Sequence, residues 1–175
     1  MQVSKQREVR ARAALPDYVS TIPAPLGATE QDSRLRSWAG PASRYLGALS
    51  LLAVGAVHLQ QYFTLYSAIP TIGVLFVLNF AGATVIGLGL LTPVERRLGR
   101  FGRPALALLA LGGIALAVTA FAFLLVSEHT PLFGFMEPDY DPPAILAARV
   151  AEAITALSLA IFLIVHLVRK APLGR

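Results

Sequence analysis

The chain has 175 residues, of which 55% are hydrophobic and 14% are charged. A soluble domain carries about 25% charged residues, so the long apolar segments of this chain indicate a membrane protein. The chain has no cysteine, which excludes disulfides, thiolate metal sites and iron–sulfur ligation by its own residues. The net charge is +5, but the basic residues flank the apolar segments. That pattern reflects membrane topology and not nucleic-acid binding.

Residues 1–43 are polar and rich in alanine, proline, serine and arginine. No apolar segment follows the early basic residues within the first 30 positions, so the pattern does not predict a secretory signal peptide. Pro16, Pro23 and Pro25 oppose a continuous helix. We predict a disordered, basic cytoplasmic tail, with Trp38 near the lipid headgroups, where tryptophan is favoured. Its basic clusters leave open that the tail docks on anionic lipid or on a partner protein.

Four apolar segments follow, each close to the roughly 20 residues that a helix needs to cross a membrane. Unbroken runs of this length suit helices and not barrel strands, because a helix satisfies its own backbone hydrogen bonds in lipid. Small residues within the segments favour close helix packing. The sequence therefore predicts an all-α, integral membrane four-helix bundle over residues 44–170, followed by a short tail at 171–175. The predicted spans are 45–62, 72–91, 104–126 and 143–168.

Basic residues alternate between the two sides of these spans. Seven lysines and arginines precede the first span, four arginines separate the second from the third, and three basic residues follow the fourth. The other two connections carry none, and the positive-inside rule then predicts that both termini are cytoplasmic. The long connection at 127–143 mixes acids, aromatics and prolines, and we expect it to cover the outer end as a lid. Its Asp139 and Asp141 precede the fourth span, where negative charge favours a helix N-terminus.

The most polar residues of the spans lie in their outer halves. At about 1.5 Å per residue, Arg149 and Glu152 lie roughly 9 and 13 Å from the outer end of the fourth span. Asn79 lies roughly 12 Å, and His58 roughly 6 Å, from the outer ends of their own spans. Ionisable groups at membrane depth are costly and are candidates for function, so this convergence predicts a pocket. The candidate pocket residues are His58, Asn79, Glu128, His129, Arg149 and Glu152.

Each of these residues also has a purely structural interpretation. Arg149 and Glu152 are three residues apart, so they can pair along one helix and partly neutralise each other. Asn79 can hydrogen-bond between helices, His58 can be a satisfied core histidine, and His129 can be solvated. The sharper interpretation is a pocket for a quinone or another lipid-like molecule. In such a pocket His58 or Asn79 would hydrogen-bond a carbonyl group while Glu152 passes protons.

The sequence offers little for haem, metal or hydrolytic chemistry. A b-type haem needs two facing axial histidines at similar depth, and His129 lies too close to the surface to oppose His58, so haem is disfavoured. No spacing motif supports a metal site from these histidines with Glu128 and Met136, and none is predicted. Classical hydrolase and phosphate-loop motifs are absent, so no catalytic residue is predicted. His166 is followed by basic residues at the inner end of its span and is expected to be interfacial.

Four short motifs in the first two spans carry a family resemblance. They are Arg44-Tyr-Leu-Gly47, Gly55-Ala-Val-His58, Pro70-Thr-Ile-Gly73 and Gly87-Leu-Gly89-Leu-Leu-Thr92. With these motifs, residues 44–92 resemble the DoxX-like family of small four-helix membrane proteins. His58 stands where that family commonly has a lysine, and Asn79 stands about where it commonly has an acid. Family members are linked with quinone-reducing and oxidative-stress membrane assemblies, so the resemblance implies a subunit of a redox complex.

The leading hypothesis is a non-enzymatic accessory subunit of a membrane complex, with a lipid-like or quinone-binding pocket in the outer half of the bilayer. The alternatives are a catalytic, quinone-linked membrane oxidoreductase and a small transporter or channel-like oligomer. The apolar inner halves of the spans disfavour transport. We expect lipids and either a protein partner or a second copy of the chain as partners, and no nucleic acid. The composition is rich in alanine, arginine and leucine and poor in lysine, as in high-GC bacteria such as actinobacteria. We therefore expect a bacterial protein, located in the inner membrane.

Overall fold

A computed structural model describes residues 26–137 and 141–168. Five α-helices form in this part of the chain, with short 3-10 turns at Tyr66–Ala68 and Gly99–Phe101. The described residues contain no strand beyond an isolated bridge between Leu132 and Phe135. The helices are α1 (Leu26–Thr64), α2 (Pro70–Leu91), α3 (Val94–Leu98), α4 (Gly102–Ser127) and α5 (Pro142–Val168).

Four stretches of helix in the described part are long and apolar enough to cross a membrane. They are α1 from Ser37 onward, α2, α4 together with the preceding α3, and α5. The predicted all-α four-helix bundle is therefore confirmed, and the chain is a multi-pass membrane protein. The hydropathy of the sequence located all four spans because lipid demands long apolar helices.

Prolines and a capping aspartate set the starts of two helices. Pro70 is the first residue of α2 and Pro142 that of α5, positions where the missing amide proton removes no helix hydrogen bond. Asp141 Oδ1 accepts a hydrogen bond from the backbone N–H of Ala144 at 3.2 Å, which is the capping role expected of this acid. The second expected capping residue, Asp139, lies outside the described residues.

The first helix is longer than predicted. α1 begins at Leu26, so residues 26–43, which we expected to belong to a disordered tail, are helical. The physical reason is that no proline lies between Pro25 and Pro41, so nothing in this stretch forces the helix to break. Pro41 is accommodated inside α1. The rest of the predicted tails, at 1–25 and 169–175, lies outside the described residues.

The core of the bundle is centred on Leu159 of α5, which is fully buried. Its side chain lies against Gly47 of α1 and Gly113 of α4, where a Cβ atom would overlap it. Small residues at these two positions thus let three helices approach one leucine, as expected for packing in lipid. The buried apolar cluster around it contains Ala48, Leu90, Leu106, Ala110 and Phe162.

Arginines tie the helices together at one end of the bundle. Arg44 of α1 donates hydrogen bonds to the carbonyl oxygens of Leu90, at 2.6 Å, and Thr92, at 2.5 Å. These carbonyls at the C-terminal end of α2 have no partner within the helix, so the guanidinium caps it. Arg103 of α4 donates to the carbonyl oxygen of His166 at 2.8 Å, and His166 Nε2 donates back to that of Arg103 at 3.2 Å.

The two ends of the bundle differ in charge. We call the end with the 92–101 connection the basic end, because Arg44, Arg96, Arg97, Arg100 and Arg103 lie there. We call the opposite end, with the 65–69 and 128–141 connections, the acidic end. It carries Glu128, Glu137 and Asp141.

Helices α2 and α4 pack closely near the basic end and separate toward the acidic end. Gly89 lies against Leu109, and Gly82 lies against Leu116. One turn further toward the acidic end, Asn79 of α2 faces a cavity instead of α4. This separation creates the space in which the candidate site lies.

Replacing Gly87 of α2 by leucine should destabilise the bundle. A Cβ at this position would lie 2.8 Å from Leu52 Cδ2 and 3.3 Å from the carbonyl oxygen of Ala48, both on α1. Overpacking of this kind costs about 1–3 kcal/mol, so thermal unfolding in detergent should occur at a lower temperature. The control is Ala81→Leu, on an exposed face of α2, which should unfold like the wild type. Equal unfolding temperatures for the two variants would contradict the close α1–α2 contact.

Candidate functional site

A cavity of about 460 Å³ lies toward the acidic end, lined by all four spanning helices and by the connection after α4. This volume falls within the range of small-molecule sites, which are mostly apolar with a few convergent polar groups. The apolar wall comes mainly from α2 and α4 and includes Leu75, Phe76, Leu116 and Phe123. The polar groups of the wall include His58, Gln61, Asn79, Thr119, Glu137 and Glu152.

Two ionisable side chains, one from α1 and one from α5, face each other on this wall. His58 Nε2 lies 4.0 Å from Glu152 Oε1, and the Glu152 side chain is 2% exposed. His58 Nδ1 lies 2.9 Å from the carbonyl oxygen of Val54. Because a carbonyl only accepts hydrogen bonds, Nδ1 carries a proton, and in the neutral imidazole Nε2 is an acceptor that faces the carboxyl group. One further proton can therefore lie on His58 or on Glu152, so the pair can take up or release a proton inside the cavity.

Two buried polar atoms on the cavity wall have no hydrogen-bond partner among the described residues. They are Asn79 Oδ1, on α2, and Glu152 Oε2, on α5. A buried polar group without a partner costs about 1–3 kcal/mol. Such groups are rare in native proteins and are expected to have a role. Here both residues line the same apolar cavity, so a rotation of each side chain would bring these atoms to a polar group of a bound ligand.

A hydroxyl contact joins α1 and α5 a short distance below this pair. The hydroxyl oxygens of Ser50 and Thr155 lie 2.9 Å apart, one turn from Glu152 toward the basic end. Beyond them Leu159 packs against Gly47 and closes the interface. The cavity is thus connected to the acidic end and is closed toward the basic end by apolar packing.

The connection after α4 folds against the cavity. Leu132 and Phe135 exchange backbone hydrogen bonds of 2.7 and 3.0 Å around a tight turn, and both side chains line the cavity. Glu137 is buried, its carboxylate accepts a hydrogen bond from the Tyr66 hydroxyl, and its backbone N–H donates to the carbonyl oxygen of Ser127 at 2.8 Å. Residues 132–137 therefore cover the acidic end of the cavity, in the position expected for a lid.

Arg149 pairs with Glu128 and not with Glu152, contrary to the pairing that we expected along one helix. Its guanidinium donates a hydrogen bond to Glu128 Oε1, so the ion pair joins α5 to the end of α4. The three-residue spacing permits a pair within α5, but the side chain of Glu152 faces His58 on α1 instead. Each of the two residues directly follows a cavity-lining residue in sequence, Arg149 after Ala148 and Glu128 after Ser127. The side chains of Arg149 and Glu128 are 34% and 24% exposed.

The structure therefore brings together three of the six candidate residues. His58, Asn79 and Glu152 line the cavity, and the ion pair of Arg149 and Glu128 lies beside it. His129 is exposed, and its Nδ1 lies 2.9 Å from the carbonyl oxygen of Leu125, within one turn of its own chain. This matches the solvated interpretation of that histidine.

Three polar residues of the site were not among the residues predicted from the sequence. Gln61 is buried and donates a hydrogen bond of 2.7 Å to Asp141 Oδ2. It follows His58 by three residues, so helical spacing could have placed it on the same face. Tyr66 and Glu137 join the two connections of the acidic end. Connections that are not long regular helices have no periodic residue pattern, so this contact could not be predicted from spacing.

The described residues contain no group of three or more histidines, aspartates or glutamates placed to hold a metal ion. Comparisons of the chain with protein-family models, with curated proteins and with solved structures found no match. A function for this protein is therefore inferred from the geometry and chemistry of the cavity.

The ion pair gives a prediction for stability. In a double-mutant cycle with Arg149→Gln and Glu128→Gln, measured as free energy of unfolding in detergent, the two changes should be coupled. The coupling should be below about 1 kcal/mol, because both side chains are partly exposed. The cycle of Arg149→Gln with Glu152→Gln is the control and should show a smaller coupling. A larger coupling between Arg149 and Glu152 would indicate that these two residues pair along α5. It would contradict the pairing of Arg149 with Glu128.

Proposed function

We propose that this protein is a small membrane subunit that holds a lipid-like molecule, with a carbonyl-bearing head such as that of a quinone, in the cavity at its acidic end. The observation that carries the proposal is the burial of Asn79 Oδ1 and Glu152 Oε2, without hydrogen-bond partners among the described residues, in two side chains that line a largely apolar cavity of about 460 Å³. An apolar tail suits the wall, and a polar head suits these groups.

The chemistry of the wall favours a head that accepts hydrogen bonds and can exchange a proton. The Asn79 side-chain amide offers both a donor and an acceptor. The His58–Glu152 pair can hold one proton on either residue, so it can donate to a carbonyl oxygen or accept from a hydroxyl. Quinones alternate between these two forms when they are reduced and reoxidised, which makes a quinone the class of ligand that uses all three side chains.

The apolar part of the ligand would enter between α2 and α4. Leu78 of α2 and Phe123 of α4 line the cavity and are also 60% and 38% exposed. Side chains that belong both to a cavity and to the lipid-facing surface mark an opening toward the membrane. A long-tailed molecule could thus place its head near Asn79 while its tail remains in lipid.

A role as an accessory subunit of a redox complex is supported by this cavity and by the resemblance of residues 44–92 to DoxX-like proteins. A catalytic quinone-linked oxidoreductase is the second candidate. The His58–Glu152 pair favours it, because quinone reduction consumes protons and this pair lies where they would be needed. A transporter is less well supported, since Leu159 closes the α1–α5 interface below the cavity.

We also propose that the acidic end faces the outside and the basic end the cytoplasm of a bacterial cell. The support is the contrast between the arginines of the basic end and the acids of the acidic end, together with the positive-inside rule. In this orientation both termini are cytoplasmic and the cavity lies in the outer half of the inner membrane.

Binding of a short-tailed quinone should depend on Asn79. We expect Asn79→Leu to weaken binding about tenfold or more, because a hydrogen bond in an apolar site is lost. The same change should leave the unfolding temperature equal or higher, since it removes a buried polar atom without a partner. The measurement is native mass spectrometry of the detergent-solubilised protein, titrated with the quinone, together with thermal unfolding.

A second pair of variants tests the cavity itself. Ala120→Phe fills the space between α2 and α4 and should abolish quinone binding, because Ala120 lines the cavity. Leu111→Phe is the matched control on an exposed face of α4 and should bind like the wild type. If the wild type retains no lipid-like molecule and binds no quinone, or if Asn79→Leu and Ala120→Phe bind it unchanged, the proposed function is wrong.

The proposed orientation can be measured with single cysteines, because the chain has none of its own. Ser67→Cys places a thiol at the acidic end and Leu98→Cys places one at the basic end, both at exposed positions. A membrane-impermeant maleimide should label Ser67→Cys in whole cells and Leu98→Cys only after lysis. The reverse pattern of labelling would contradict the orientation.

A further inference from the structure

A second cavity, of about 190 Å³, lies at the basic end, far from the candidate quinone site. Arg44, on α1, and Arg103, on α4, line it together with His166 of α5. Apolar parts of the wall come from Tyr45 and Phe162. This cavity has no role in the proposed function, and its ligand has to be inferred from its own lining.

Both arginines are held in place by hydrogen bonds that, among the described residues, occupy only some of their N–H groups. A guanidinium has five N–H donors. Arg44 donates from Nε to Leu90 and from Nη2 to Thr92, which occupies two of them, and Arg103 donates from Nη2 to His166. The bonds to backbone carbonyls fix the side chains without neutralising their charge. Fixed cationic donors are what a phosphate site requires, since less side-chain entropy is lost when the anion binds.

The charge of the wall limits the ligand further. Glu95, at the start of the short helix α3, also lines this cavity. Among the described residues that line this cavity, two are arginines and one is a glutamate, which leaves a formal charge of one positive unit for a ligand to balance. A phosphodiester carries one negative charge and matches this wall better than a free phosphate or a phosphomonoester, which carry up to two.

The position of the cavity favours a phosphodiester that belongs to a lipid. Trp38 and Tyr45 are exposed aromatic residues of α1 next to the cavity-lining residues Pro41 and Arg44, and such residues are enriched at the level of the headgroups. Basic pockets between membrane helices are known to bind anionic headgroups. From these observations we infer that the cavity between α1, α4 and α5 at the basic end binds the phosphodiester headgroup of an anionic phospholipid through Arg44 and Arg103.

The test uses the full chain in a neutral detergent and phosphatidylglycerol with short acyl chains as the probe. Trp38 is the one tryptophan of the chain and is 73% exposed, so its fluorescence reports binding near the cavity, and native mass spectrometry counts the bound lipids. Phosphatidylglycerol should bind about tenfold more tightly than zwitterionic phosphatidylcholine of the same chain length. Arg103→Gln should reduce this preference about tenfold, because a charge-assisted hydrogen bond is lost.

Arg97→Gln is the matched control, because Arg97 is an exposed arginine of the basic end that does not line the cavity. It should change the affinity for phosphatidylglycerol by less than twofold. Arg44→Gln should have the same effect as Arg103→Gln; if it fails to fold because the cap of α2 is lost, Arg103→Gln and Arg103→Lys decide the outcome. Lysine should restore part of the preference, since it keeps the charge but not the planar donors.

Two results would overturn the inference. One is equal affinity of the wild type for phosphatidylglycerol and phosphatidylcholine. The other is an effect of Arg97→Gln as large as that of Arg103→Gln, which would indicate attraction by surface charge alone. Competition by inorganic phosphate or glycerol 1-phosphate separates the possible sources of the anion. If either phosphate competes at the same concentration as the lipid, the ligand of the site is a free phosphate, and the assignment of a phospholipid is also overturned. If neither competes, the result supports the phospholipid.

Discussion

The approach of His58 on α1 to Glu152 on α5, 4.0 Å apart at their nearest nitrogen and oxygen, is the contact on which the organisation of the acidic end depends. A carboxyl group that is 2% exposed among apolar helices is costly unless another polar group faces it. The imidazole of His58 is that group, and its orientation is fixed by the carbonyl of Val54. The pair sets which faces of α1 and α5 meet. Below it the hydroxyl groups of Ser50 and Thr155 continue the same interface.

Helices α2 and α4 complete the site by separating where α1 and α5 present these groups. Their close contact near the basic end, where Gly82 lies against Leu116, gives way to an apolar cavity that reaches Asn79. The cavity therefore combines a lipid-like interior with a small polar wall and a cover formed by residues 132–137. The arginines of the basic end perform a different task. They cap α2 and join α4 to α5, and Arg44 and Arg103 line a second, smaller cavity. The two proposed sites, one at each end of this short bundle, would take different classes of lipid.

The sequence predicted the fold and the depth of the site better than it predicted the partners of individual side chains. Four spans follow from hydropathy, and the rise per residue of a helix placed His58, Asn79 and Glu152 in the same half of their spans, and all three do line one cavity. The rotation of each helix is set by packing against its neighbours, which no spacing within one helix reveals. For this reason Arg149 was expected to pair with Glu152, whereas it pairs with Glu128. The contact of Tyr66 with Glu137 joins two irregular connections, where sequence periodicity gives no information.

Photoaffinity labelling with an azido-quinone in native membranes, followed by peptide mapping, tests most directly whether these polar groups serve a ligand. The proposed site predicts labelling of a few positions that face the cavity, close to His58, Asn79 and Glu152, with loss of the label when an excess of unmodified quinone is added. Labelling spread over the lipid-facing surfaces of all four spans, without competition by unmodified quinone, would contradict a quinone site in the cavity.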